Sequence, residues 1–515
     1  MTQVISETKT VERAPEAAAA RAPNAWAQKI IYALVAIGIV LGCVSRFAAV
    51  DFKPVWGDES VTILAVNTDM SIPANKVTTA GEIIKEAYTP QRISVTTNLS
   101  KLYKYSREQL PLYYLGANGW GDFFGTSPTA LRMYSSLIGA LTIAAMYFLG
   151  FELFSSPLAG LLSAFFTAVS PFHFYYSRTA RPYELFALTT AFSTTLLLRA
   201  LRKSNFKTWA GYAMLAFATM MSHALSVAVL AAHGITVVCR RKLSNTVSFA
   251  VTAIVIGLSA LPWYYQLNYH STKYTGWLQG KQTTLIDHLL ASLPTITTSI
   301  IDVFTNQSAL VVLWGMCLLT LMAIFLWKKL GSRSLVLLTL IFCPIAVLLP
   351  TDCTWHQQML SLDRYLTPIF IAVPLMLAGT AAFLSLSKKT WQHILAPVIC
   401  AAALLQSGIF CNQYFSTKYW HQPDRWIGAV AQEISKSPDA LVITNETQDQ
   451  VISLCSMLPA TVRVMRVDET PAHYSNLGQE EFFYLKQRHF RQNARLLHYS
   501  KTDGIQIIKP PPVTQ

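Results

Sequence analysis

Asp58 and Glu59 stand side by side in "VWGDESVTILAV", residues 55–66, between a Trp-Gly pair and an apolar segment. Adjacent carboxylates suit general-base chemistry or a divalent cation. Arg178 and Arg181 in "YYSRTARPYEL" and Arg364 in "LDRYLTP" also interrupt apolar surroundings. A guanidinium offers a planar fork of donors that matches phosphate oxygens. A pocket holding both kinds of group would take a substrate that is part lipid and part phosphate-linked polar group. Each residue also has a plainer role. Arginines reach for lipid headgroups, and Asp-Glu before "SVTILAV" fits the first turn of a helix.

The elements that must position these residues are apolar. The chain has 515 residues, of which 52% are hydrophobic and only 13% charged, where a soluble domain carries roughly a quarter charged. A bilayer needs about 20 apolar residues per helix. Runs that fit lie near 29–50, 129–153, 157–177, 183–201, 208–222, 223–239, 247–266, 308–327, 334–350, 365–386 and 391–411. They predict a polytopic α-helical membrane protein with about eleven transmembrane helices. Residues 110–125 are aromatic but interrupted by Asn118 and Asp122, and are expected to lie flat at the interface. With that assignment the clusters Arg199–Arg202–Lys203–Lys207, Arg240–Arg241–Lys242, Lys328–Lys329–Arg333 and Lys388–Lys389 all fall on the cytoplasmic side. The loop 51–128 and everything from 412 then fall outside, and Asp58, Glu59, Arg178, Arg181 and Arg364 share one level near the outer surface. Charges there are costly and mark function.

The expected domains are a disordered cytoplasmic tail (1–28), a transmembrane catalytic domain (29–411, with 51–128 as its first external loop) and a small extracytoplasmic α/β domain (412–515). The last is read from the strand-like runs "DALVITNE", "TVRVMRV" and "GIQIIK". Net charge is +14, but no basic run interleaves with aromatics, so no nucleic-acid partner is expected. The eight cysteines are scattered without a metal-ligand spacing.

Four stretches in this order resemble a known family: "WGDESVTILAV", "QLPLYYLGANGWGDFFGTSPTALRMYSSLIGALTIAAMYFLGFELF", "AGLLSAFFTAVSPFHFYYSRTARPYELFAL" and "DRYLTPIFIAVPLMLA". The family is the bacterial branch of glycosyltransferase family 39, the dolichyl-phosphate-mannose–protein mannosyltransferases. These are GT-C-fold enzymes related to the aminoarabinose lipid A transferases. The resemblance is good over about residues 50–200 and looser over 355–415. It implies transfer of a sugar from a polyprenyl-phosphate carrier to an acceptor on the outer side of a bacterial inner membrane. The acceptor would be a protein, a lipid or a polysaccharide. It assigns Asp58 as catalytic base with Glu59 as its acidic neighbour, and it carries over Arg181, Tyr183, Arg364 and Tyr365. Gln109 and Thr179 depart from the family's usual His and acid.

The expected reaction inverts the anomeric carbon in one displacement, with Asp58 taking the acceptor proton. Three roles stay open for Glu59: holding the acceptor, holding a divalent cation with Asp58, or raising the basicity of Asp58. No cofactor is assigned beyond that candidate cation. Arg181, Arg178 and Arg364 are expected on the donor phosphate. Tyr113, Tyr114, His173, Tyr183 and Tyr365 are candidate lining residues, and Asp352 and His356 are external candidates for substrate contact. His223 and His233 are read as packing residues in apolar runs. The rival functions are another lipid-linked glycosyl or phosphoglycosyl enzyme, such as a polymer ligase, and a transporter or flippase of a lipid-linked saccharide, though no internal repeat is evident.

Overall fold

The computed structural model describes residues 25–67, 72–90, 93–105, 109–274, 284–298, 309–355, 357–387, 389–416, 425–439, 441–467, 481–486, 495–500 and 504–508. The tail 1–24 and His356 lie outside them.

All eleven apolar runs are helical. The first is α1 (Ala25–Phe47). The segment between α1 and the helix that follows residue 127 holds α2 (Gly57–Val66), β1 (Val77–Thr79), α3 (Ala80–Ala87), α4 (Val95–Tyr105) and α5 (Pro111–Phe124). The bundle continues with α6 (Pro128–Phe154), α7 (Pro157–Ala168), α8 (Pro171–Ser177), α9 (Tyr183–Lys203), α10 (Phe206–Met220), α11 (Ser226–Cys239) and α12 (Leu243–Tyr274). After α13 (Leu285–Thr298) come α14 (Ala309–Leu330), α15 (Leu335–Trp355), α16 (Thr367–Ser385) and α17 (Thr390–Ser416). The chain ends with α18 (Arg425–Ile434), β2 (Leu441–Thr444), α19 (Gln448–Cys455), β3 (Arg463–Arg466), β4 (Glu481–Lys486), β5 (Arg495–Ser500) and β6 (Gly504–Ile508).

Fewer than eleven of these helices are long enough to cross a membrane. By length and hydropathy seven stretches qualify among the described residues, or eight if the bent pair α7–α8 is one span. Helices α10 and α11 have 15 and 14 residues, too short for a bilayer core of about 30 Å. A single stretch of 46 residues spans α14 and α15, divided by a 3-10 turn at Gly331–Ser334. Helix α5 also falls short at 14 residues. It ends where Gly125 turns to φ 86°, leaving Phe123 and Phe124 85% and 62% exposed, as an interfacial helix would.

The helix ends sort by charge. Arg199 and Arg202 at the end of α9 both reach Glu152 at the end of α6, at 3.0 and 2.7 Å. The opposite ends of the same two helices carry Arg132 and the Arg181 segment. The candidate site therefore lies about 30–40 Å from the basic end, at 1.5 Å of rise per residue. The apolar core is built from α1, α6, α7, α9, α15 and α16.

The expected strands of the C-terminal region are present, but the sheet is not confined to it. Its order is β1-β3-β2-β4-β5-β6. Strand β1, from the first external loop, pairs antiparallel with β3. Strands β2–β3 and β2–β4 pair parallel, and β4–β5–β6 continue antiparallel. One apolar core joins Ile83 and Ala87 of α3 to Val442 of β2 and Ile452 of α19. The first loop and the C-terminal region are thus one packed unit, which a reading by sequence position divides in two.

Helix α1 meets α7 at Gly42, where an added Cβ would stand 2.5 Å from the Ala168 carbonyl oxygen. Backbone cannot yield as a side chain can. Gly42→Ala should cost about 1–3 kcal/mol, seen as a lower thermal midpoint of the detergent-purified protein.

Candidate active site

Helix α2 presents the two carboxylates in different directions. Glu59 turns inward. Its Oε2 accepts the Trp56 N–H (3.1 Å), closing the first turn. The Arg132 guanidinium grips it twice, Nε to Oε1 at 2.8 Å and Nη2 to Oε2 at 2.5 Å. The Ala180 N–H donates to Oε1 at 2.9 Å. Both side chains are 1% exposed. Arg132 also donates to the carbonyls of Val50, Lys53 and Pro54. Glu59 is therefore a buried clamp joining α2, α6 and the 178–182 connector, and both its oxygens are taken up by protein donors. The cap function that seemed to fit Asp58 belongs to Glu59.

Asp58 faces outward, with its side chain 22% exposed. Arg364 Nη1 lies 3.7 Å from its Oδ2. Arg181 Nη1 donates to the Asp58 backbone carbonyl (3.1 Å) and to the Tyr114 hydroxyl (3.2 Å). The Nε of Arg181 is buried and meets no protein acceptor. Tyr114 in turn donates to the Gln109 side-chain oxygen, so Gln109 backs the site at second remove. The Arg364 guanidinium lies over Trp56 and Tyr365, at 5.5 and 5.4 Å, and Arg181 lies 5.9 Å from the Tyr183 ring. Asp58, Arg181, Arg364, Tyr114, Tyr183 and Tyr365 thus converge as expected.

Four expected members do not join them. Arg178 is fully buried and donates to the carbonyls of Ser45, Ala48 and Ala49 beyond the end of α1, under the rings of Phe174, Tyr414 and Phe415. It caps α1 and has no fork to offer phosphate. Tyr113 is buried, bonded to Ser135 Oγ at 2.8 Å. His173 is buried between Glu184 Oε1 (2.9 Å) and the Phe370 carbonyl (3.1 Å), where it ties α8 and α9 to α16. Asp352 accepts the Met359 and Leu360 N–H groups at 3.0 and 2.9 Å. A further pair of arginines escaped the reading. Arg46 and Arg132 are both buried at span ends, and the signal that singled out Arg178 applied equally to them.

A divalent cation does not fit the Asp58–Glu59 pair, because Glu59 is committed to Arg132. Among the described residues no three His, Cys, Asp or Glu side chains gather as a metal-ligand set.

The outer unit supplies one wall. Ser453 Oγ of α19 donates to the Val55 carbonyl at 2.8 Å, just ahead of α2. One turn earlier on the same face stands Asp449. Burial raises its carboxyl above the usual range, hydrogen bonds from Thr447 and Gln450 pull it back, and the Asp58 carboxylate adds to the rise.

Residues 111–265 match the family model described as dolichyl-phosphate-mannose-protein mannosyltransferase. The crystal structure of ArnT from Cupriavidus metallidurans in the apo state superposes with a TM-score of 0.53 at 12% identity, covering 90% of this chain and 93% of that one. The fold is the GT-C fold. The same protein bound to undecaprenyl phosphate gives 0.51 at 11% identity, over 89% and 93%. A sequence search of curated proteins finds no match. The GT-C assignment agrees with the resemblance drawn from the motifs. The family match begins after Asp58 and ends before Arg364, so those two residues rest on the geometry.

Glu59→Gln removes the counter-charge of a buried guanidinium, which costs about 3–5 kcal/mol. Its folded yield and thermal midpoint should fall sharply. Asp58→Asn, on the exposed side of the same turn, should leave both near wild type.

Proposed function

We propose that the chain is a membrane glycosyltransferase that moves a sugar from a polyprenyl-phosphate carrier to an acceptor hydroxyl. The observation that carries this reading is the approach of one outward carboxylate, Asp58, to the Arg364 and Arg181 guanidiniums within a GT-C fold. The ArnT structure bound to undecaprenyl phosphate supports a carrier of that class. The acceptor hydroxyl attacks the anomeric carbon as Asp58 takes its proton. The bond from that carbon to the phosphate oxygen breaks, and configuration inverts. The phosphate leaves as a monoester carrying one more negative charge than the diester. Arg181 and Arg364 stand ready for that charge without reorganising. Protein, lipid and polysaccharide acceptors all supply the required hydroxyl. The eleven helical segments and the basic clusters support a multi-pass protein of a bacterial inner membrane, with a cytoplasmic N-terminus. The site and the outer sheet would then face away from the cytoplasm.

In a radiolabelled polyprenyl-phosphate-sugar assay, Asp58→Asn should lower carrier-phosphate release by about 10²–10⁴-fold, with folding intact. Near-wild-type release would overturn the base assignment. Movement of intact lipid without release would favour a flippase. Arg364→Ala should weaken both donor binding and turnover.

A further inference from the structure

The turn at 221–225, between α10 and α11, brings a histidine into the phosphate end of the site. The His223 ring is stacked on Phe186, with centroids 5.0 Å apart and planes at 15°. Its centroid lies 5.7 Å from Tyr183 and 6.4 Å from Tyr365, the two rings that flank Arg181 and Arg364. The Leu225 N–H donates to Nδ1 at 3.2 Å, so the neutral ring carries its proton on Nε2. The residue is half-buried, and its Nε2 meets no acceptor among the described residues. A ring that accepts at Nδ1 is neutral, with one proton on Nε2.

We infer that His223 is a third donor to the carrier's phosphate, its Nε2–H binding a phosphate oxygen beside the two guanidiniums. This rests on the donor-phosphate reading of Arg181 and Arg364. A neutral donor suits the place. It adds a hydrogen bond to the oxyanion without adding a third cation to a site already holding two. Tyr183 and Phe186 fix the ring, and the backbone bond to Nδ1 fixes its tautomer, so the donor is held before the ligand arrives. The sequence presents His223 only as a polar residue in an apolar run. The break between two short helices turns it toward the site.

The test is binding of undecaprenyl phosphate to the full-length detergent-purified protein, with undecaprenol as the phosphate-free control. A hydrogen bond to a charged group is worth about 1.5–3 kcal/mol, so His223→Ala should weaken undecaprenyl phosphate binding by about 10–100-fold and leave undecaprenol unchanged. His223→Gln, whose amide N–H₂ reaches the Nε2 position, should restore most of the affinity. His223→Asn, which reaches only the Nδ1 position, should not. Equal affinity in all three variants would overturn the proposal, as would equal loss in Gln and Asn. Arg181→Ala separates the two readings. If it loses binding while His223→Ala keeps it, only the histidine assignment fails. If neither variant loses binding, the donor-phosphate site itself is elsewhere.

Discussion

The site depends on one buried ion pair. Glu59 and Arg132 sit out of water, where isolated charges cost several kcal/mol each. That cost is met by near-complete pairing: the guanidinium fork on the carboxylate, two backbone N–H groups on the remaining acceptor positions, and three carbonyls on the remaining donors. Those bonds come from four stretches of chain. The pair therefore brings the 50–54 strap, the start of α2, the start of α6 and the 178–182 connector to one point. Asp58 is the neighbour of that point on the helix surface. With Glu59 held inward, Asp58 must face the other way, toward Arg364 and Arg181. The adjacent carboxylates thus have separate tasks, one holding the turn and the other presented by it.

The arginines divide in the same manner. Arg46 and Arg178 commit their terminal guanidinium nitrogens to backbone carbonyls at the end of α1 and in α7. In a low-dielectric layer those carbonyls would otherwise lack partners. Arg181, only three residues from Arg178, places its Nη1 on the Asp58 carbonyl and the Tyr114 hydroxyl instead. Which arginine holds the end of α1 and which joins the Asp58 turn follows from the acceptors each one finds.

The outer sheet makes the same use of distant sequence. Strand β1 comes from the first loop and β2 to β6 from the C-terminal region, so neither portion closes the sheet alone. Helix α19 is carried by that sheet and rests against the approach to α2 through Ser453 and Val55. The Asp58–Glu59 turn is therefore supported on one side by Arg132 and on the other by α19. A change in the outer unit would be felt at Asp58 through one hydrogen-bonded contact.

Much was legible in the sequence alone. Apolar length and composition are local properties, and they placed all eleven helical runs. Strand-like alternation in "LVIT" and "VRVMR" was likewise local. Scarce charges at the ends of apolar runs singled out residues that the fold draws together around α2, and the motif order pointed to the GT-C fold. The assignment of roles within that layer was not legible. Asp58 and Glu59 differ by one position, and the rotation of α2 set by Arg132, 73 residues away, separates them. Arg178 and Arg181 differ by half a turn of connector and by the carbonyls of a helix more than a hundred residues earlier. His223 looked like packing until the turn after α10 set it against Tyr183. The sequence by itself determined which residues could not rest in hydrocarbon. Only the tertiary structure decided which of them were committed to one another and which were turned outward, because a hydrogen bond depends on position and direction in three dimensions and neither is a local property of the chain.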